Sequence, residues 1–273
     1  PYSKAPISVV LDFLLEQFNK GSSASLIGTH RSALSAYLPK IDGYSVGDHP
    51  LMVRFMKGIS NIRPKLPRYS STWDPDKMIK FLKTFDHTTL KGLTLKLTMI
   101  LALITAQRAQ TLSLLKLSEL EESDDRCVFT LGSPLKNKSV GARVEIEAFP
   151  NDPSICAVTL IRKYIHMTQD LRNGQDSLLL SFIKPHHAVH VDSIRRWILL
   201  VMSLAGIDTE VFKAHSTRSA SSSKAAAKQV PISQILSSGM WSRDSTFAKF
   251  YKKKIDNGKK SNEFQKAVYN VDK

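Results

Sequence analysis

The sequence predicts a mainly α-helical protein with one small antiparallel β-hairpin, divided into two domains. Three observations carry this reading. Apolar residues recur at helical spacing through most of the 273 residues. Only two neighbouring segments, 126–131 and 143–149, have strand character. Between positions 51 and 73 lie five basic residues (Arg54, Lys57, Arg63, Lys65, Arg68), no acid, and the helix breakers Pro64 and Pro67. The expected division is therefore a helical N-terminal domain over 1–66, a linker over 67–73 and a second domain over 74–273. A basic connector can follow a phosphate backbone, but an ordinary solvated connector reads equally well.

The elements follow in order. Residues 7–18 put apolar groups at helical spacing, and Gly21 stands where such a helix stops. Ser22 or Ser23 can cap a second helix through Ile27, Leu34 and Leu38, with Pro39 beyond it. Residues 51–62 form a third. Asp74-Pro75 combines an N-cap with proline at the first helical position, opening a helix over 76–85. Residues 90–105 read as a buried helix that delivers Gln107-Arg108-Ala109-Gln110, and 112–120 as a further helix. The two strands flank a polar loop, 132–142, holding Pro134, Gly141, Lys136 and Lys138. Asp152-Pro153 repeats the cap device ahead of a helix to about 171. Another spans 192–205 and stops at Gly206. From His215 the chain is helical again, through the Ser/Ala/Lys-rich stretch 219–228. Pro231 opens a helix ending near Gly239.

Composition bounds the chemistry. Lys and Arg number 39 against 24 acids, a formal charge of +15. Such a surplus points to a polyanion, most simply nucleic acid. From Lys249 onward there are eight lysines and three acids. Two cysteines, Cys127 and Cys156, make no disulfide framework, so a reducing compartment is expected. There is no run of ~18 apolar residues to cross a membrane; Thr94, Lys96, Thr98 and Thr105 interrupt the longest apolar stretch. Beginning at Pro1, the sequence reads as a piece of a longer chain. His186, His187 and His190 lack an acid or cysteine at metal-ligand spacing and read as a polar loop. Neither a glycine-rich phosphate loop nor a paired-carboxylate metal site is present.

The chemistry-bearing pattern lies near the C-terminus. His215-Ser216-Thr217-Arg218 precedes Trp241 and Tyr251, and Tyr251 is followed by Lys252-Lys253-Lys254. A phenol, with pKa ~10, is a weak nucleophile near neutral pH. To attack a phosphodiester it needs fixed cations that hold the phosphate and stabilise the developing charge. Among seven tyrosines, Tyr164 and Tyr269 lack the upstream pattern.

With these residues in view, the chain resembles the tyrosine recombinases, or phage-integrase family, over most of its length from about 74 to 251. The motif Trp241-x(4)-Thr246-Phe247-x(3)-Tyr251 is most similar to the recombinases of eukaryotic DIRS-like and Crypton-like mobile elements. The resemblance implies a two-domain architecture, with a helical N-terminal clamp on DNA and a mixed α/β catalytic domain. It implies strand cleavage and rejoining through a 3′-phosphotyrosyl intermediate at Tyr251, without a metal or other cofactor and without a small-molecule substrate. The partners implied are double-stranded DNA and three further copies, a homotetramer on two DNA sites, at work in the nucleus.

Roles carry over residue by residue. Arg108, between a buried helix and a Leu-rich one, matches the first catalytic arginine, which grips the scissile phosphate bidentately. His215 and Arg218 match His-x-x-Arg, the second phosphate clamp with a histidine able to assist proton transfer. Lys136 matches the loop lysine that protonates the leaving 5′-oxygen; Lys138 is its rival. Trp241 falls where the family has His or Trp, and its N–H can donate to a phosphate oxygen but cannot relay a proton. Two departures stand out. Thr111 occupies the position of a usual acid, and Trp241 precedes Tyr251 by ten residues rather than nine. They keep a second reading open, a non-catalytic DNA-binding protein derived from such an enzyme; a third is a type IB topoisomerase-like activity, which shares the same chemistry.

Overall fold

A computed structural model describes residues 5–64, 69–135, 140–242 and 244–256, without the side chains of Lys249 and Phe250. The chain forms two compact units, Pro1–Arg68 and Tyr69–Lys273.

The first unit holds helices α1 (Ile7–Asn19), α2 (Ala24–Tyr37) and α3 (Pro50–Ile62). The spacing of Ile7, Val10, Leu14 and Phe18 puts all four on the buried face of α1. They pack with Ile27, Val46, Met52 and Ile59 into a separate small core. Ser23, not Ser22, caps α2, accepting from the Leu26 amide at 3.2 Å. Arg63 closes the unit. Its guanidinium lies 3.9 Å over the Phe18 ring and donates to the carbonyls of Phe18 and Ser22, both at 2.8 Å.

The second unit is built on α5 (Leu90–Ile104), whose residues from Leu93 to Leu103 are all buried. Helices α7 (Ala157–Thr168), α8 (Val191–Leu204) and α9 (Ser216–Ala227) pack around it. A helix buried on every side belongs at the centre of a fold. Ahead of it, Asp74 caps α4 (Pro75–Thr84) through the Asp76 amide, as the cap-plus-proline pattern predicts. Tyr164 is fully buried. Its hydroxyl accepts from the Leu180 amide at 3.0 Å and donates to the Leu180 carbonyl at 3.3 Å, a structural role that removes it as a nucleophile.

The structure differs from the sequence reading in three places. The helix expected over 112–120 is α6 (Ala109–Ser113), then a single 3-10 turn, Leu117–Glu119, then strand β2 (Leu120–Ser123). β2 is an exposed edge strand with little apolar alternation, so nothing in its composition reveals the extended backbone. It pairs antiparallel with β3 (Arg126–Leu131), which pairs antiparallel with β4 (Ala142–Glu147). The helix expected straight after Asp152-Pro153 begins only at Ala157, because Asp152 accepts from the Ser154 amide and hydroxyl in a local turn instead.

The third difference concerns the expected linker. Its last residues form β1 (Ser71–Trp73), which pairs in parallel with β5 (Lys254–Asp256), just beyond Tyr251. Thr72 and Trp73 are buried, and the Trp73 indole donates to the Ser216 hydroxyl at 2.9 Å. Two stretches far apart in sequence thus meet on α9, a pairing that no local pattern encodes. The remaining elements are α10 (Ile232–Ser238) and α11 (Asp244–Phe250). Among the described residues, no helix is long and apolar enough to cross a membrane. Cys127 and Cys156 are buried free thiols.

Candidate active site

Helix α9 is the platform. His215 stands at its N-cap, and Arg218, Ser219 and Ser223 follow at spacings of three, four and eight. These offsets put all four on one helical face. Tyr251, directly after α11, comes down onto that face. Its hydroxyl lies 2.9 Å from His215 Nε2, with the two rings edge-on at 5.7 Å.

Arg218 is fully buried. One terminal nitrogen donates to the Ala106 carbonyl at 2.5 Å and the other to the Gly239 carbonyl at 2.9 Å. Ala106 sits in the left-handed region at φ 49, in the turn where α5 hands over to Arg108. Burial first, and then the Arg108 charge, push the Arg218 pKa down to about 10, while Tyr251 acts in the opposite sense. The guanidinium therefore stays charged at neutral pH. The buried charge is stabilised here by carbonyl dipoles and by aromatic faces. The Trp241 ring lies 4.4 Å from its carbon and the Tyr251 ring 5.4 Å.

Trp241 is buried, with its ring 4.8 Å from that of Tyr251 and 5.5 Å from that of Phe247. With Ala106, Ile235 and Phe247 it forms a small separate cluster against which Tyr251 packs. The indole N–H has no partner among the described residues, although buried donors are nearly always paired.

Arg108 is half-buried at the N-cap of α6. It lines a cavity of about 420 Å³ with Gln107, Arg195, Lys213, His215 and Arg218. Among the described residues, no carboxylate lines that cavity. Thr111 is buried on α6, a neutral hydroxyl where an acid would have offset part of the positive charge. Arg195, on α8, pairs with Asp192 at 2.6 Å. Sequence reasoning missed Arg195 and Lys213. Lys213 stands two residues before His215, a signal that could have been read; Arg195 carries none. Lys136 and Lys138, the two candidate acids, lie outside the described residues, as does Tyr269.

The cations act on His215. Loss of hydration, then the charges of Arg218, Arg108 and Arg195, push its pKa down to about 4 from the ordinary 6.5. The residue as a whole remains exposed, which makes the cations the firmer cause. At neutral pH the imidazole is uncharged, and in the tautomer with Nδ1 protonated its Nε2 accepts from the Tyr251 hydroxyl. The sign of the linkage follows. Above pH 6.5 the ring is neutral in folded and unfolded chains alike. Between 6.5 and about 4 only the unfolded chain takes up a proton, so folding stability drops as pH falls through that window. The melting temperature of the wild type is expected to fall faster than that of His215→Gln between pH 7 and 4.5. Parallel melting curves across that range would contradict the arrangement.

No protein-family model matches the sequence, and no characterised protein matches it in sequence either. Solved structures do match. The XerH site-specific recombinase, bound to palindromic difH substrate in a post-cleavage complex, superposes with a TM-score of 0.61 at 12% identity, covering 89% of this chain and 67% of that one. The Tn1549 transposon integrase in complex with circular intermediate DNA gives 0.56 at 12% identity, over 98% of this chain and 86% of that one. A lambda integrase tetramer bound to a Holliday junction gives 0.53 at 16% identity, over 96% and 68%. What the chain shares with these recombinases and integrases is their mainly helical fold with a small antiparallel sheet.

Proposed function

We propose that this chain cuts and rejoins double-stranded DNA, with Tyr251 as the nucleophile. The observation that carries the reading is the 2.9 Å contact between the Tyr251 hydroxyl and His215 Nε2, beside the buried guanidinium of Arg218 and the cationic cavity that Arg108 lines. Neutral His215 takes the phenolic proton as Tyr251 Oη attacks phosphorus. The P–O5′ bond breaks, and the leaving 5′-oxygen takes a proton from a general acid, the role assigned to Lys136. A 3′-phosphotyrosyl bond remains, and a 5′-hydroxyl of a partner strand reverses the step. Arg108 and Arg218 stabilise the charge on the non-bridging oxygens, and the unpaired Trp241 N–H donates to one of them. Each such donor is worth ~3 kcal/mol of barrier. Because the bond energy is kept in the phosphotyrosine, no energy-supplying cofactor enters.

A synaptic assembly of four copies on two DNA sites is part of the same proposal. The lineage read from Trp241, Thr246, Phe247 and Tyr251 is part of the proposal, and nuclear action with it. Phe247, fully buried against Trp241, supports the motif as one packing unit.

The test is covalent trapping. A nicked duplex that loses a short 5′-hydroxyl fragment on cleavage should yield a denaturation-resistant adduct. Mass spectrometry should map it to Tyr251 carrying a 3′-phosphate. Salt-dependent binding without an adduct would make the chain a non-catalytic DNA-binding protein. Plasmid relaxation with an adduct but without strand exchange would make it topoisomerase-like.

A further inference from the structure

The reactive tyrosine is held by its backbone as well as its ring. We propose that Ser219 and Ser223 are positioning residues that grip the Tyr251 main-chain carbonyl and so aim its phenol. The inference rests on the reading of Tyr251 as nucleophile.

Ser219 Oγ donates to the Tyr251 carbonyl at 3.0 Å, and Ser223 Oγ donates to the same oxygen at 2.8 Å. Ser223 Oγ also accepts from the Lys253 amide at 2.8 Å. Both serines are buried, 4% and 3% exposed. A carbonyl oxygen has two lone pairs, and both are engaged here. On the other side, the Tyr251 amide donates to the Phe247 carbonyl at 2.8 Å. The backbone of Tyr251 is thus fixed from both ends, leaving mainly side-chain rotation to set where the hydroxyl lies.

Two other serines of α9, Ser221 and Ser222, show that this is not the default, while Ser216 in its first turn accepts from the Trp73 indole. A serine inside a helix usually turns its hydroxyl back to a carbonyl one turn earlier. Ser221 does so with Thr217 at 3.0 Å, and Ser222 with Arg218 at 2.6 Å. Ser219 and Ser223 instead reach out of the helix to one shared oxygen. They stand one turn apart on the face that also carries His215 and Arg218. A single rigid helix therefore sets the positions of the base, one phosphate clamp and the nucleophile's backbone.

The experiment uses the whole chain. Single-turnover adduct formation is measured at saturating nicked duplex, with duplex affinity measured in parallel. The double variant Ser219→Ala/Ser223→Ala is expected to form adduct about 10- to 100-fold more slowly, as a displaced nucleophile does, with its affinity essentially unchanged. Ser219→Thr/Ser223→Thr, which keeps both hydroxyls, should recover most of the rate. An undiminished rate in the alanine variant, or threonine no better than alanine, overturns the proposal. A second measurement does not depend on catalysis: nitration of Tyr251 by tetranitromethane, followed by peptide mapping. It should be faster in the alanine variant, and an unchanged nitration rate overturns the clamp. If the wild type forms no adduct, the catalytic reading falls on that result alone and nitration still judges the clamp.

Discussion

Replacing Tyr251 by phenylalanine is expected to abolish covalent capture of DNA, a loss of more than about 10⁴-fold, while leaving duplex affinity and melting temperature nearly unchanged. The physical reason is the division of labour around the residue. The ring packs against Trp241 and His215, and phenylalanine preserves that packing. The backbone is tied to Ser219, Ser223 and Phe247, and none of those bonds involves the hydroxyl. Only the oxygen beside His215 Nε2 is removed. On the proposed reading one chain supplies base, clamp and nucleophile, and the same variant tests whose tyrosine is used. A mixture of Tyr251→Phe with Arg218→Ala protein should form no more adduct than either variant alone. In such a mixture no copy holds both groups. Restored activity would mean that the tyrosine enters a neighbour's site, and the 2.9 Å contact would then describe a resting arrangement. Arg218→Lys should not rescue Arg218→Ala, because a point charge cannot donate to the Ala106 and Gly239 carbonyls in the planar geometry of a guanidinium.

Much of this site is legible in the sequence, because a helix converts spacing into direction. His215 and Arg218 share a face by arithmetic. Arg108 follows from a buried helix that can end only where its apolar run ends. The rest depends on contacts between residues far apart in the chain. The lysines after Tyr251 read as a basic tail, and nothing local predicts that Lys254–Asp256 lines up beside Ser71–Trp73. β2 was hidden because an exposed edge strand needs no apolar alternation. Ser219 and Ser223 look like filler in a Ser/Ala/Lys-rich helix, since a serine's role is set by which carbonyl it meets. Arg195 enters the cavity from α8 and has no motif around it. Thr111 is the opposite case. The sequence flags it, and it is buried on α6; among the described residues no carboxylate lines the cationic cavity, which suits that cavity to an anion.

Gly239→Ala is expected to disrupt the site through a residue that carries no chemistry. Gly239 closes α10 at φ -86, a conformation alanine adopts freely, so the obstacle is space. A Cβ there would lie 1.8 Å from Trp241 Cζ3 and 2.3 Å from Cε3. Two responses are open. The indole can swing away, losing its stacking on Arg218 at 4.4 Å and on Tyr251 at 4.8 Å. Alternatively the end of α10 can move, carrying off the Gly239 carbonyl that accepts from Arg218 at 2.9 Å. Either way Arg218 loses a partner in a buried place where it has few. Overpacking of this kind destabilises by ~1–3 kcal/mol, which for a unit of this size lowers the melting temperature by ~2–4 °C per kcal/mol. Adduct formation should fall further, by ~10²-fold, because a displacement near 1 Å is enough to misalign the reacting groups. The cause can be isolated with a double-mutant cycle. In a Trp241→Ala background the added methyl meets no ring, and Gly239→Ala should then be nearly neutral for stability. If the two substitutions add instead, the glycine is not there to make room for the indole, and the packing of Trp241 over Arg218 does not organise this site.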